Sequence, residues 1–263
     1  MSKKRQTSQL APNTGPIEIV PFARDYDAAH VIAIHRHDKD QLVYASQGVM
    51  TVQTGMGMWV IPTHRAVWIP AGVDHGITMA GKVAMRTLYF PPGLVRRLPR
   101  TCCVVNVPPL LRELILYACT HPADGQIGDH GHLAGLILDR LEAIQALPLQ
   151  LPALSDPRAR RVAERLSADS DDDSRVTLSI DAVCRWSGAS RRTIERLFLE
   201  ETGMTLGKWR QQFRLMKAMR LLGGGAPIAT AAFEAGYTTP SAFIAAFRKA
   251  FGTTPAKYFR PQA

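Results

Sequence analysis

Between residues 17 and about 90 the apolar positions come in short runs, at 41–44, 49–54, 58–61, 66–69 and 84–90, each broken off by Gly, Pro or Asp. Short runs with frequent turn residues predict the strands of a sandwich or barrel. Near Pro108 the period changes. Segments 110–118 and 133–146 place apolar residues three and four apart, as in Leu133, Leu136, Ile137, Leu141 and Ile144. That spacing predicts two helices, able to pack on the strands or on a second copy of the chain. Pro148, Pro152 and Pro157 predict a linker, and 169–173 an acidic, solvated turn. Helical spacing then dominates, with segments predicted at 157–168, 179–187, 190–202, 205–222, 227–235 and 239–251. Gly223-Gly224-Gly225 ends the longest of them. The first 16 residues are polar with Pro and Gly, which predicts a flexible arm.

The helical part repeats itself. Gly203-Met204-Thr205-Leu206-Gly207-Lys208-Trp209 recurs 49 positions later as Gly252-Thr253-Thr254-Pro255-Ala256-Lys257-Tyr258, and Ile194 and Phe198 match Phe243 and Phe247 at the same offset. Ile180, Val183 and Gly188 match Ile228, Ala231 and Gly236 at an offset of 48. Each copy is a helix, a glycine turn and a second helix, which suggests a device that contacts nucleic acid at two places.

The outward faces of the two copies differ. Ser190 sits where a helix N-cap belongs, and Ile194, Leu197 and Phe198 share one face of the helix that follows. At 100° per residue, Arg192 and Arg196 point away from that face together. An outward Arg pair suits a helix in the major groove, because guanidinium takes guanine O6 and N7 in a bidentate pair; a solvated surface helix has the same pattern. In the second copy Thr239 is the expected N-cap and Pro240 the first helical residue, where a missing N–H is harmless. Here the matching outward positions are Ser241 and Ala245, which suit phosphates and thymine methyls rather than guanine. Arg248 and Lys249 suit backbone phosphate, a contact that positions without specifying. The helix at 205–222 joins the copies; its 18 residues span about 27 Å at about 1.5 Å each. That length, with the width of the units, suits major grooves about 34 Å apart. Lys208, Arg210, Arg214, Lys217 and Arg220 add charge along it.

Charge sharpens the picture. Residues 174–263 carry 14 Lys/Arg against 5 Asp/Glu, a net of +9 out of +10 for the chain. A basic segment attached to a near-neutral one is the footprint of a nucleic-acid binder with a separate second function, although a basic face kept for solubility has the same sign. At 263 residues there is room for two cores. No apolar run approaches a membrane span and no hydrophobic region follows the basic N-terminus, so we expect a cytoplasmic protein with no membrane partner. Cys102, Cys103, Cys119 and Cys184 lack zinc-ligand spacing and are expected as reduced, packed thiols.

These residues carry a family resemblance. Ser187-Gly188-x-Ser190, Phe198-x-x-x-x-Gly203, Ala231-Ala232-x-x-Ala235-Gly236-Tyr237, Phe243-x-x-x-Phe247-Arg248-Lys249-x-Phe251-Gly252 and Thr254-Pro255-x-x-Tyr258 together resemble the DNA-binding domain of AraC/XylS-type transcriptional regulators. The resemblance implies two helix-turn-helix units whose second helices enter the groove of double-stranded DNA. By position, base contacts would fall on Arg191, Arg192, Glu195 and Arg196, then on Thr239, Pro240, Ser241, Ala242 and Ala245. It also implies a homodimer through residues 108–147 and makes RNA polymerase a candidate partner.

The N-terminal half has a second constellation. His35-Arg36-His37, Gln41, Gly48 and Pro70-Ala71-Gly72-Val73-Asp74-His75 resemble the two motifs of cupin barrels, which in metal-binding members supply three His and a Glu to one ion. The set that matches here is His35, His37, Gln41 and His75. Residues two apart on a strand share a side, so His35 and His37 can converge, and neutral imidazoles suit Zn, Ni, Fe or Cu. Gln41 replaces the carboxylate, His64 stands at the usual Gly and Met79 at the usual Asn. A metal-free effector pocket and a structural hydrogen-bonded cluster are the alternatives. Trp59, Trp68 and Tyr89 are candidates to line the same chamber, with buried core as the other role for each.

The expected organisation is two-domain: a flexible arm (1–16), an all-β cupin-like barrel as sensor (17–105), a helical dimerisation and linker region (106–155) and an all-α tandem helix-turn-helix domain (156–263). The expected function is a sequence-specific transcriptional regulator controlled by a small ligand or metal, with no catalytic residues and no required cofactor beyond a candidate divalent transition metal. The alternative is a metal-dependent cupin enzyme fused to a DNA-binding tail.

Overall fold

A computed structural model describes residues 19–121, 131–144, 149–168 and 179–259; the expected arm and the acidic turn at 169–173 lie outside them. The N-terminal half holds β1 (Val20–Tyr26), β2 (Val31–His35), β3 (Asp40–Thr54), β4 (Gly57–Ile61), β5 (Arg65–Ile69), β6 (His75–Phe90) and β7 (Cys103–Asn106). Then come α1 (Pro109–Thr120), α2 (Gly131–Arg140), β8 (Ala143–Ile144) and β9 (Gln150–Pro152). The helical half holds α3 (Pro157–Ala168), α4 (Ile180–Trp186), α5 (Arg191–Thr202), α6 (Leu206–Gly223), α7 (Ile228–Glu234), α8 (Pro240–Phe251) and α9 (Pro255–Tyr258).

Two long strands organise the sheet. β3 and β6 run antiparallel along most of their length, with register slips between Ala45 and Val49. Such bulges bend a ladder and raise its twist. Before the bend, β3 pairs β5 and the far half of β6 pairs β1, giving a first leaf that continues through β7 to β8. Beyond it, β3 pairs β4, β4 pairs β9, and the near half of β6 pairs β2, giving a second leaf. Among the described residues the sheet does not close: its order ends at β1 on one side and β8 on the other. The expected closed barrel is therefore an open, folded-over sandwich. The two-residue β8 offers too short a ladder to close on β1.

Three apolar layers follow from strand alternation. Val43, Ala45, Val67, Ile69 and Met85 of the first leaf meet Met50, Val52, Trp59, Ile61, Ile77 and Met79 of the second. The outer face of the first leaf, with Leu42, Tyr44, Trp68, Leu88 and Phe90, is covered by Leu111, Ile115, Ala134 and Ile137 of α1 and α2. The outer face of the second leaf, with Val49, Val60 and Leu151, is covered by the helical half and shares its core with Phe213, Met216 and Met219 of α6.

Two local expectations are revised. The helix expected at 133–146 stops at Arg140, and Ile144 pairs instead with Val104 on the sheet. The expected proline linker is partly a strand: β9 pairs β4, with Pro152 as its last residue, a position where a missing N–H is tolerated.

The contact between the halves is close. At Gly81, which has φ +74°, a Cβ would lie 2.7 Å from the Gly223 carbonyl oxygen, and at Gly223 a Cβ would lie 2.3 Å from a Val49 methyl. Only glycine lets the Gly81 backbone approach α6, and the Gly223 backbone approach Val49, this far. The Gln212 amide of α6 donates to the Gln150 carbonyl, and the backbone N–H groups of Ser155 and Asp156 donate to the Glu201 carboxylate. His64, at the β4–β5 turn, packs edge-on to Tyr258 of α9 at 4.3 Å. Burial pushes the His64 pKa down to about 4 and raises that of Tyr258.

Candidate functional site

The repeat is visible atom by atom in the helical half. Ser190 and Thr239 are extended N-cap residues whose hydroxyl oxygens accept from Thr193 N–H at 3.2 Å and Ala242 N–H at 3.1 Å. Such caps satisfy N–H groups that the helix cannot. The turns before them pair alike, Ala189 N–H to Cys184 O and Tyr237 N–H to Ala232 O, and α5 and α8 both end on left-handed glycines, Gly203 and Gly252. Ile194 and Phe198 in one copy, and Phe243 and Phe247 in the other, are fully buried.

With those faces inward, Arg191, Arg192, Glu195 and Arg196 are exposed along α5, and Ser241, Ala242, Ala245 and Arg248 along α8, with Thr239 exposed and Pro240 half-buried at the start of α8. Each set borders a shallow groove. The first groove is lined by Arg191, Arg192, Glu195, Arg196 and Thr205, the second by Ser241, Ala245, Arg248 and Lys249. The first set is internally paired. Arg191 lies 2.8 Å from Glu195 and 3.5 Å from Asp181, and Arg196 lies 2.7 Å from Glu200. Among the described residues Arg192 has no such carboxylate partner. Glu200 went unnoticed in the sequence, although its position four residues after Arg196 is the ion-pair spacing of a helix.

α6 is more than a charged spacer. Lys208 is exposed, but Lys217 is buried, at 7% exposure. Arg214 lies under the α7–α8 turn, where a Cβ on Gly236 would come within 3.2 Å of its Nε. Burial and Arg210 lower the Arg214 pKa.

The histidine constellation converges at the mouth between the two leaves. His35 is the last residue of β2, His37 follows the strand, and His75 begins β6. Their ring centroids lie 4.3 to 5.3 Å apart, and one ligand nitrogen from each falls within 4.8 Å of the others. Two rings are fixed by their backbone: His35 Nδ1 lies 2.8 Å from Ala33 O and His75 Nδ1 2.9 Å from Val73 O. A carbonyl only accepts, so each Nδ1 carries the proton and, in a neutral ring, each Nε2 keeps its lone pair. Burial lowers the pKa of both His37 and His75, and the neighbouring histidines lower it further. The Nε2 atoms of His37 and His75 are buried with no hydrogen-bond partner.

Gln41 comes from the start of β3. Its Nε2 donates to the Tyr89 hydroxyl at 3.2 Å, while its Oε1 is buried without a partner. Tyr89 in turn packs edge-on to His37 at 5.1 Å. Asp40, which the sequence did not single out, ties two turns beside the site by accepting from Ala71 N–H at 2.8 Å and Gly93 N–H at 2.9 Å. The remaining predicted positions separate. Trp59 and Tyr89 sit on strands facing the space between the leaves, but Trp68 is on the opposite face of β5, against Phe90 at 5.4 Å beneath α1 and α2. Strand alternation forbids the shared chamber: Val67 and Ile69 take the inner side, so Trp68 must take the outer one. His64 belongs to the contact with α9, and Met79 is core.

A transition ion fits this donor set. Tetrahedral zinc at about 2.1 Å from each nitrogen holds neighbouring ligands about 3.4 Å apart, so the rings would close by about an ångström. Gln41 could add an amide oxygen.

Comparison with known proteins agrees with both halves. Residues 17–204 match the family described as AraC-like ligand binding domain, and residues 183–261 match a helix-turn-helix domain. The HTH-type transcriptional regulator NimR of Escherichia coli K12 is 31% identical over 229 residues, covering 86% of this chain and 81% of that protein. The regulatory protein SoxS of the same strain is 33% identical over 100 residues, covering 38% of this chain and 94% of SoxS. Among solved structures, fatty-acid-bound ToxT of Vibrio cholerae aligns over 95% of this chain and 97% of that one, at 12% identity and a TM-score of 0.37. With a ligand-binding match over most of its length and a relative alike over most of both chains, this chain belongs to the AraC family of DNA-binding transcriptional regulators.

Proposed function

We propose that the regulator is governed through its histidine site, by a small ligand or a transition metal ion bound there. The observation that carries this reading is the set of partnerless buried atoms, His37 Nε2, His75 Nε2 and Gln41 Oε1, at one mouth of the sandwich. A buried polar atom without a partner is destabilising by about 1–3 kcal/mol, so a cluster of them is explained best by an occupant. His37 and His75, whose pKa values burial lowers, favour the neutral form that binds metal. Occupancy would be felt by the DNA half through β3 and β6: Gln41 and His75 lie at their ends, and Val49 and Ala80 of the same strands pack against the helical core.

DNA recognition is assigned to α5 and α8, with Arg192 the principal reader of guanine and Arg248 a phosphate contact. Leu110, Tyr117 and Leu136 expose apolar surface on α1 and α2, which supports a homodimer through these helices. The enzymatic alternative would need an acid/base pair beside the ion. Gln41, Tyr89 and the exposed Arg36–Asp74 pair at 3.0 Å do not make one, and the relatives named above are regulators. Gel retardation on the DNA upstream of the chain's own gene tests the main reading. We expect a shifted band at low salt that changes when metal is removed with EDTA and restored. No retardation with or without metal refutes DNA recognition; retardation indifferent to metal and to His75→Ala refutes control through this site.

A further inference from the structure

We propose that the effector taken up at this site is a small organic anion that binds through oxygen, as the counter-charge of a bound divalent ion. The inference rests on the metal reading above and goes one step further, from the charge of the donors. Among the described residues no carboxylate or thiol groups with His35, His37 and His75. The nearby carboxylates are engaged or exposed: Asp40 accepts from the Ala71 and Gly93 N–H groups, and Asp74 is exposed and paired with Arg36. Asp38 is exposed.

The donor set is therefore three neutral imidazoles and one neutral amide, and none of the charge of a divalent ion held by it is cancelled by its own ligands; the outlying Asp38 and Asp74 act on His37 and His75 only from beyond them. His75 is buried and the other two rings are half-buried, so water screens this charge poorly. An uncompensated buried charge is strongly unfavourable, and an anion in an open coordination position is the simplest remedy. Three histidines and the amide leave such a position only on a five- or six-coordinate ion, a geometry open to transition metals. Tyr89 packs against His37: its hydroxyl accepts from Gln41 and has its own proton to donate to an anionic oxygen bound at the site. The site is thus built as a cationic socket whose guest supplies the charge that Gln41 does not.

The test uses the full chain, purified without a His-tag, loaded with cobalt(II) and followed by its visible spectrum. Benzoate and its neutral isostere benzamide are the probes. We expect cobalt(II) to bind in a one-to-one ratio and benzoate to shift the spectrum saturably, with benzamide causing no shift and with no benzoate binding to EDTA-treated chain. Gln41→Glu places the missing charge inside the donor set. It should tighten cobalt(II) by about tenfold and weaken benzoate by about tenfold. Failure of the wild-type chain to bind cobalt(II) overturns the metal reading and this inference together. Cobalt(II) binding with benzoate and benzamide equivalent, or with benzoate unaffected by a folded Gln41→Glu variant, overturns this inference alone. Should Gln41→Glu not fold by near-ultraviolet circular dichroism, the wild-type contrast between benzoate and benzamide decides.

Discussion

α5 and α8 are the same object on their inner sides and different objects on their outer sides. Both start on a hydroxyl cap, end on a left-handed glycine and bury two large apolar residues one turn apart. Outside, α5 presents Arg192 among paired charges, whereas α8 presents Ser241 and Ala245. The difference teaches that packing and readout are separable: a fixed helix-turn-helix scaffold can carry a specific face in one copy and a permissive face in the other. It also predicts asymmetric operators, with one half-site rich in information and the other loose.

The sharpest way to break the likeness is at the cores. Phe198→Ala and Phe247→Ala should each lower unfolding stability by about 3–5 kcal/mol, measured by denaturant titration. A cost under about 1 kcal/mol in either would show that the two cores are not equivalent. The outer faces should then diverge. Arg192→Ala should weaken binding to a selected operator by about 1–3 kcal/mol and leave random DNA nearly untouched, while Ser241→Ala should change either by only a few tenths. Equal losses on random DNA would make Arg192 a phosphate contact. At the caps the copies should match again, Ser190→Ala and Thr239→Ala each costing about 1 kcal/mol of stability. The smallest effect concerns Glu200. Glu200→Gln should lose about 0.3–0.5 kcal/mol of stability with its ion pair, yet bind DNA more tightly because Arg196 is released. Weaker binding would mean that Glu200 holds Arg196 in its reading position.

The helical half was largely legible in the sequence because its signals are local. Caps, glycine turns and apolar spacing fall within a few residues, so α3 to α8 were placed to within a residue or so; only the single-turn α9 was missed. The sandwich was less legible. β3 and β6 looked like shorter runs because the bulge residues Ser46 to Gly48 and the turn-like Ala80-Gly81 interrupt the alternation without ending the strand. Ile144 and Leu151 joined the sheet because partners distant in sequence, Val104 and Met58, were available to them. At the histidine site the three ring positions were readable from motif spacing. The Tyr89–Gln41 bond and the double tie of Asp40 depend on which strands become neighbours, and local pattern does not report that.

The glycine-to-glycine meeting of β6 with the end of α6 has a mechanical consequence. Most interfaces between domains absorb small displacements by changing rotamers, like a joint with a rubber bush. Here the Gly81 backbone meets the Gly223 and Gly224 backbone directly, and the Val49 side chain packs flush against Gly223, so little at that point can move aside. Movement of β6 at this point should therefore either carry α6, the helix between the two helix-turn-helix units, along with it or part the contact. The joint behaves as a hard stop, and enlarging either glycine by a single methyl group would jam it.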